Sequence, residues 1–97
     1  MQDIILPDKL TFIGDCAFNM CTSLTKIVIP ESVTSIGKYA FSFCNSLRSI
    51  SIPNGVKSLE NHLFYNSENL YSITIPESVT SIELYAFDYS GCEDIYY

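Results

Sequence analysis

Basic side chains are scarce in this sequence, and none follows Lys57. The 97 residues carry eleven acids and five bases, which gives a net charge of −6. An acidic surface of this kind disfavours binding to nucleic acid and to anionic lipid. We therefore expect no nucleic-acid partner.

Long apolar runs are also absent. No stretch approaches the ~18 consecutive apolar residues that a membrane-spanning helix needs, so the sequence predicts no transmembrane segment. The N-terminal Met-Gln-Asp-Ile lacks the basic start and the apolar core of a signal peptide. On this observation alone, we expect a cytoplasmic protein if the chain is complete.

What the sequence does contain is a repeat. The string Ile-Pro-Glu-Ser-Val-Thr-Ser-Ile occurs at 29–36 and again, unchanged, at 75–82. A fixed period of this kind is typical of stacked coils, and not of a globule with a single centre. A proline marks the period every 23 residues, at Pro7, Pro30, Pro53 and Pro76. We predict one domain, 1–97, with coil 1 at 4–26, coil 2 at 27–49, coil 3 at 50–72 and coil 4 at 73–97.

Each coil contains two kinds of hydrophobic spacing. Its first residues alternate, as in Ile27 and Ile29, which is typical of a short strand with one buried face. The proline that follows lacks the N–H that would continue the strand pairing. The later apolar residues of each coil are spaced about three or four positions apart in the sequence, which predicts a helical turn or a short 3₁₀ segment. In coil 2 these residues are Ala40, Phe41, Cys44 and Leu47.

Stacking the coils predicts a parallel sheet and continuous columns of like side chains in the core. Neighbouring strands would lie ~4.8 Å apart. The predicted strands are Ile4–Leu6, Ile27–Ile29, Ile50–Ile52 and Ile73–Ile75. The predicted phenylalanine column is Phe18, Phe41, Phe64 and Phe87.

Coil 4 departs from the period. An insertion of two residues near Ser90 would place Cys92 in the column of Cys44, and Ile95 in the column of Leu70. Neither end carries the polar cap that stacked coils normally need. We therefore expect either a piece of a longer array or a chain that associates through its ends.

The repeat closely resembles one known family. Its strand half, Leu-x-x-Ile-x-Ile-Pro, fits the leucine-rich repeat, and Ser32–Leu47 resembles the BspA-like subclass through S-V-T-S-I-G-x-x-A-F-x-x-C-x-S-L. Coil 3 departs from this motif at Glu60, Leu63 and Ser67. The resemblance implies a leucine-rich-repeat solenoid, with the parallel sheet on its concave face and short helical or 3₁₀ turns on its convex face. It also implies protein recognition, as in adhesion and host-protein binding at the cell surface.

The cysteines are interpreted as packing groups. Cys21 and Cys44 occupy equivalent places in adjacent coils, where the Cα–Cβ vectors are parallel, whereas a disulfide needs a different geometry. Buried free thiols pack as small hydrophobic groups. The cysteine spacings also lack the short local pattern of a zinc site. Cys16 falls in an outward column, where we expect it to be exposed and oxidisable.

Catalytic and metal-binding residues are not predicted. His62, the single histidine, lies in the column of Cys16 but two coils away, or ~10 Å, which is too far for a nucleophile pair. We interpret it as a surface histidine stacked between tyrosines. No glycine-rich phosphate loop, G-x-S-x-G or H-E-x-x-H occurs. No loop folds around the turn acids Asp8, Glu31 and Glu77 to hold calcium. We expect no enzyme and no cofactor.

The candidate binding site is the concave face. Strand residues whose neighbours point inward must point outward, and they form a small polar surface with a cationic spot at Lys26 and Arg48 and an aromatic spot at Tyr71. Tyrosine and arginine are favoured interface anchors, and a flat polar face suits a protein better than a small molecule. The candidate residues are Lys26, Val28, Arg48, Ser49, Ser51, Tyr71, Ser72 and Thr74.

These observations predict a protein-binding repeat module. Its adhesion-type role at the cell surface, with a host or extracellular-matrix protein as partner, is implied by the resemblance. The alternative is an intracellular scaffold that associates end to end through uncapped coils.

Overall fold

The fold consists of short strands and tight turns that recur along the chain. The structure, a computed structural model, describes residues 3–83, 85–91 and 94–96. In chain order, these residues form the strands β1 (Asp3–Ile5), β2 (Phe12–Ile13), β3 (Lys26–Val28), β4 (Ser35–Ile36), β5 (Ser49–Ser51), β6 (Ser58–Leu59), β7 (Ser72–Thr74), β8 (Ser81–Ile82) and β9 (Asp94–Tyr96).

The strands pair in parallel between coils 1 and 2 and from coil 3 onward, as the period predicted, but the predicted pairing between coils 2 and 3 is absent among the described residues. Ile4 pairs with Ile27 and Ile50 pairs with Ile73, so that equivalent residues lie side by side. Each proline follows its strand and begins a tight turn. In coil 2 the carbonyl of Pro30 accepts the N–H of Val33 at 3.1 Å. The fixed φ of proline suits this turn.

The strand ladders stop between coils 2 and 3. The odd-numbered strands line the concave face, where β1 pairs with β3, and β5 pairs with β7 and then β9. The even-numbered strands form a second, narrower face, where β2 pairs with β4 and β6 pairs with β8. In the described part of the chain, no pairing joins β3 to β5 or β4 to β6.

The convex side is a continuous ladder of turns, and this ladder holds coils 2 and 3 together. We call residues 16–20, 39–43, 62–66 and 85–89 the turn ladder. Between coils 2 and 3, the N–H of Phe41 donates to Leu63 O at 3.0 Å, and that of Phe43 donates to Tyr65 O at 2.8 Å. Similar bonds join coil 1 to coil 2 and coil 3 to coil 4. Backbone hydrogen bonding therefore crosses every coil boundary on the convex side.

These convex segments are turns and not the short helical or 3₁₀ segments that the spacing favoured. The described residues contain no helix. A left-handed residue at each end of a segment interrupts the helical run, because it changes the direction of the following peptide. N–H groups then bond alternately within a coil and to the next coil. The left-handed residues, with φ of 56–63°, are Cys16, Met20, Tyr39, Phe43, His62, Asn66, Tyr85 and Tyr89.

The core lies between the sheet and the turn ladder, and it contains the predicted phenylalanine column. Phe41 and Phe64 are completely buried. The rings of Phe18, Phe41, Phe64 and Phe87 stack in order, with centroids 5.4, 6.0 and 5.7 Å apart. The predicted stacking of like side chains is confirmed for this column.

Coil 4 is one residue shorter than the period, so the predicted two-residue insertion is wrong. Ile95 pairs with Ile73 as a strand residue, 22 positions later, and does not occupy the leucine column. Ser90, whose N–H donates to Phe87 O at 3.0 Å, takes the place predicted for Cys92. Cys92 itself lies outside the described residues. Backbone pairing, which sequence matching does not detect, sets this alignment.

Candidate functional site

The eight predicted concave-face residues all project from β3, β5 and β7 or from the positions just before β5 and β7. Strand alternation places the six strand residues outward because the intervening Ile27, Ile50 and Ile73 are buried in the core. Ser72 is half-buried, and the other seven are exposed. The structure therefore brings the six strand candidates to one face of the molecule, and Arg48 and Tyr71 are exposed at its edge, just before β5 and β7.

A shallow cleft of about 460 Å³ lies on this face, where the strand ladder stops between β3 and β5. Its floor reaches the core: Ile27 and Ile50 are 5% and 4% exposed, whereas Ile73, which is covered by paired strands on both sides, is completely buried. The walls combine polar side chains with the exposed Val28. The polar lining residues are Lys26, Glu31, Ser49, Ser51, Ser72 and Thr74.

The polar groups of this face have few partners of their own. Among the described residues, no hydrogen bond from another side chain or the backbone engages the hydroxyls of Ser49, Ser51 and Thr74. Lys26 and Arg48 likewise form no ion pair with an acid in the described ranges. These groups are therefore available to donate and accept hydrogen bonds with a bound molecule.

Tyr71 is held in place at the edge of the site. Its hydroxyl donates to Asn69 Oδ1 at 2.8 Å, and its N–H donates to Arg48 O at 3.0 Å. The ring remains 44% exposed. A restrained, exposed tyrosine beside an arginine loses little conformational entropy when it contacts a partner.

The sequence analysis missed one exposed residue on this face. Ile5 is 96% exposed and pairs with Val28, which is 68% exposed. Strand alternation could have identified Ile5, because it lies between two inward-facing residues. Coils 1 and 2 thus present apolar side chains in the column where coils 3 and 4 present Ser51 and Thr74.

The cysteine column forms hydrogen-bonded bridges between coils. Cys44 Sγ lies 3.1 Å from Phe18 O, to which it donates, and it accepts the N–H of Cys21. Ser67 repeats the bridge one coil later: its hydroxyl donates to Phe41 O at 2.6 Å and accepts the N–H of Cys44 at 3.1 Å. These side chains satisfy backbone groups that would otherwise be buried without partners.

Burial also makes the Cys44 thiol a weak acid. The pKa of Cys44 is raised to about 12, mainly by desolvation and in smaller part by the nearby Cys21, while the hydrogen bond from the Cys21 N–H opposes the shift. Cys16, Cys21 and Cys44 are free thiols, and of these Cys16 is exposed. Thiolate is the reactive form, so Cys44 is suited to packing and not to nucleophilic chemistry.

His62 is stacked between two tyrosines, as predicted. Its ring lies 4.7 Å from that of Tyr39, almost parallel to it, and 5.1 Å from that of Tyr85. Its Nδ1 is buried without a hydrogen-bond partner among the described residues. Ring contacts therefore hold this side chain, and Tyr39 lies between His62 and Cys16 in their shared column.

Two further features bear on function. In the described ranges, no three histidine, cysteine or acidic side chains converge as metal ligands. No helix with the length and apolarity needed to cross a membrane occurs there either.

The stacked parallel coils define the chain as a repeat solenoid with a sheet on its concave face. The sequence profile of the BspA type leucine rich repeat region matches residues 1–97, in six copies. The chain belongs to the BspA-type leucine-rich-repeat family.

Two solved structures resemble the chain. A leucine-rich repeat protein of T. pallidum is 34% identical, with a TM-score of 0.75 over 84% of this chain and 38% of its own. A leucine-rich cell surface protein of Faecalibacterium prausnitzii A2-165 is 30% identical, with a TM-score of 0.73 over 100% of this chain and 32% of its own. The chain thus spans less than two fifths of either. No curated protein matches it.

Proposed function

We propose that this chain is a protein-binding module that uses its concave face, and that it serves in an adhesion-type surface protein with a host or extracellular-matrix protein as partner. One observation carries the proposal: the concave face presents the basic group of Lys26 and the hydroxyls of Ser49, Ser51 and Thr74 without protein partners, and Arg48 and Tyr71 are exposed at its edge. Parallel strands hold these groups at fixed spacing. A preorganised surface loses less entropy on binding.

The shape of the site favours a protein over a small molecule. Small-molecule sites are enclosed and mostly apolar, whereas this cleft is shallow and its lining is about equally polar and apolar. Protein interfaces rely on a few aromatic and arginine anchors surrounded by near-neutral contacts. Arg48 and Tyr71 are suited to the anchor role, and the serine and threonine hydroxyls to the surrounding contacts.

One of the two similar structures supports the proposed role at the cell surface. The Faecalibacterium prausnitzii protein is described as a cell surface protein, and this chain matches about a third of its length. Adhesion by this chain is therefore part of the proposal.

A non-catalytic role is also part of the proposal. Nucleophilic catalysis needs a nucleophile, a base and an orienting group within hydrogen-bond reach. His62 contacts aromatic rings, and burial raises the pKa of Cys44 to about 12.

The proposal is tested by measuring binding to candidate host and matrix proteins with two concave-face variants. A partner captured by the chain should bind Arg48→Glu and Tyr71→Ala about tenfold or more weakly. Lys38→Glu on the convex side and Phe12→Ala on β2, where the ring is 63% exposed, should keep the affinity. Unchanged affinity in both concave variants would place the site elsewhere.

End-to-end assembly is a second candidate, and the exposed side of coil 1 favours it. Its core residues are only partly covered: Ile4, Leu6, Leu10, Phe18 and Cys21 are half-buried. A second copy stacked on this side would bury them. Light scattering over a range of concentrations tests this idea, and a strict monomer at high concentration would remove it.

A further inference from the structure

Six aromatic rings form a connected set on the convex side of coils 2 to 4. We call them the convex aromatic network: Tyr39, Phe43, His62, Tyr65, Tyr85 and Tyr89.

The network is continuous from coil to coil. Tyr39, His62 and Tyr85 form one column, with centroids 4.7 and 5.1 Å apart. Tyr65 joins this column to Tyr89. Its ring lies edge to face against His62, with centroids 5.1 Å apart, and against Tyr89, with centroids 5.7 Å apart. Edge-to-face and offset contacts at these distances are favourable for aromatic pairs. The rings therefore form one surface and are not isolated exposed side chains.

The backbone fixes the direction of these rings. Five of the six residues, all except Tyr65, have positive φ, a conformation that disfavours any residue with a Cβ. The turn ladder enforces it, as where the N–H of Phe43 donates to Tyr65 O at 2.8 Å. Non-glycine residues in unfavourable backbone conformations tend to cluster at functional sites. The ring positions are thus largely preorganised for binding.

The outer part of the network is open. Tyr85 is 51% exposed and Tyr89 is 68% exposed. Within the described ranges, the hydroxyls of Tyr85 and Tyr89 form no hydrogen bond. Exposed ring faces carry the negative part of the aromatic quadrupole, to which cations are attracted.

The charge around this outer part is negative. Glu83 and Asp88 lie in the same coil as the exposed tyrosines. Neither forms an ion pair with a described residue, although Glu83 Oε2 accepts the hydroxyl of Ser81 at 3.0 Å. Residues 58–97 contain seven acids and no lysine or arginine. Lys38, beside Tyr39, introduces a positive charge only at the coil 2 end. The concave face has the opposite character, with Lys26 and Arg48.

We propose that the convex aromatic network at coils 3 and 4 is a second interaction surface, which binds an arginine-rich segment of a protein partner. The guanidinium groups lie against the faces of Tyr85 and Tyr89, and their charge is matched by Glu83 and Asp88. A guanidinium group suits this site better than an ammonium group, because it is planar and less strongly hydrated. This surface is separate from the concave face, so both can be occupied together.

The experiment uses a short peptide of alternating arginine and glycine as the probe, with a glutamate–glycine peptide as its control. Titration calorimetry measures affinity, and amide chemical shifts locate the site. We expect the arginine peptide to bind, with shifts at residues 83–91, and the glutamate peptide not to bind. Absence of arginine-peptide binding, or shifts confined to β3, β5 and β7, would overturn the proposal.

The variants separate ring contacts from simple charge attraction. Asparagine tolerates positive φ, and Asn66 already occupies the position equivalent to Tyr89 one coil earlier. The double variant Tyr85→Asn with Tyr89→Asn should therefore fold, which its circular dichroism and melting profile would check, and should bind the peptide at least about fivefold more weakly. Tyr71→Ala on the concave face should not change this affinity. Equal affinity in the wild type and the double variant would show binding by charge alone and would refute the proposal.

Discussion

Coils 1 and 2 have nearly the same sequence pattern but very different burial. Ala40 and Phe41 are completely buried in coil 2, whereas the equivalent Ala17 is exposed and Phe18 is half-buried in coil 1. The local geometry does not differ: φ is 60° at both Cys16 and Tyr39. The comparison shows that the repeat sets the shape of a coil, while the coils on either side set how much of it is buried. Stability in such a stack depends on nearest-neighbour contacts.

The largest difference in stability between coils 1 and 2 is expected in the phenylalanine column. Phe41→Ala should reduce the free energy of unfolding by about 3–5 kcal/mol, because it opens a cavity between two stacked rings. Phe18→Ala should cost less, about 1–3 kcal/mol, since its ring is stacked on one side and half-exposed on the other. Urea denaturation of both variants measures the difference. Equal losses would contradict the idea that neighbouring coils determine burial.

A smaller effect is expected at the bridges between coils. Ser67→Ala removes a hydroxyl that serves Phe41 O and the N–H of Cys44, and it should cost about 1–3 kcal/mol because both backbone groups lose a buried partner. Ser67→Cys, which restores the thiol present at Cys44, should recover part of the loss. If alanine and cysteine have the same unfolding free energy, the bridge makes no contribution.

A change of opposite sign is expected at the left-handed positions. Met20 has φ of 63° and is 64% exposed, so Met20→Gly should relieve backbone strain and raise stability by up to about 1 kcal/mol. Phe43→Gly, the same change one coil later, loses ring contacts with Tyr65 and should destabilise the fold. Thermal melting compares the two. A loss of stability in both variants would contradict the strain argument.

The thiols of coils 1 and 2 should differ in their reactivity. Cys16 should be alkylated readily in the native protein, whereas Cys44, with its pKa raised to about 12, should resist. Mass spectrometry after brief alkylation measures this difference. Equal labelling of both residues would contradict the burial of Cys44.

The same shift predicts a pH dependence of stability. The unfolded thiol releases its proton above its ordinary pKa of 9.0, while the folded thiol keeps it until about pH 12. The unfolded state therefore binds fewer protons in this window, and the Cys44 contribution to stability falls as pH rises through it. Cys44→Ser should make the decline between these pH values shallower.

Sequence reasoning predicted the parts of the fold that depend on periodicity. The 23-residue spacing of Phe18, Phe41 and Phe64 was sufficient to predict their stacking, because equal spacing in a coil places equivalent residues side by side. Alternation around Ile27 likewise placed Lys26 and Val28 on the concave face. The binding role of that face remains a prediction.

Sequence reasoning failed where spacing alone is ambiguous. A spacing of three or four residues fits both a helix and a series of tight turns, and only the positive φ at residues such as Tyr39 and Phe43 distinguishes them. In coil 4, a plausible match of Cys92 to the cysteine column suggested an insertion. Strand pairing of Ile95 with Ile73 shows a deletion instead.

By itself, the sequence determined the family, the coil length and the inward or outward direction of each repeated side chain, since these follow from a fixed period. Only the tertiary structure decided where the strand ladder stops between β3 and β5, and how the rings around His62 meet. The strand ladder and the stacking of His62 with Tyr39 and Tyr85 depend on contacts between residues about one period apart. No local pattern specifies them, because the pairing of one coil with the next is a property of the assembled stack.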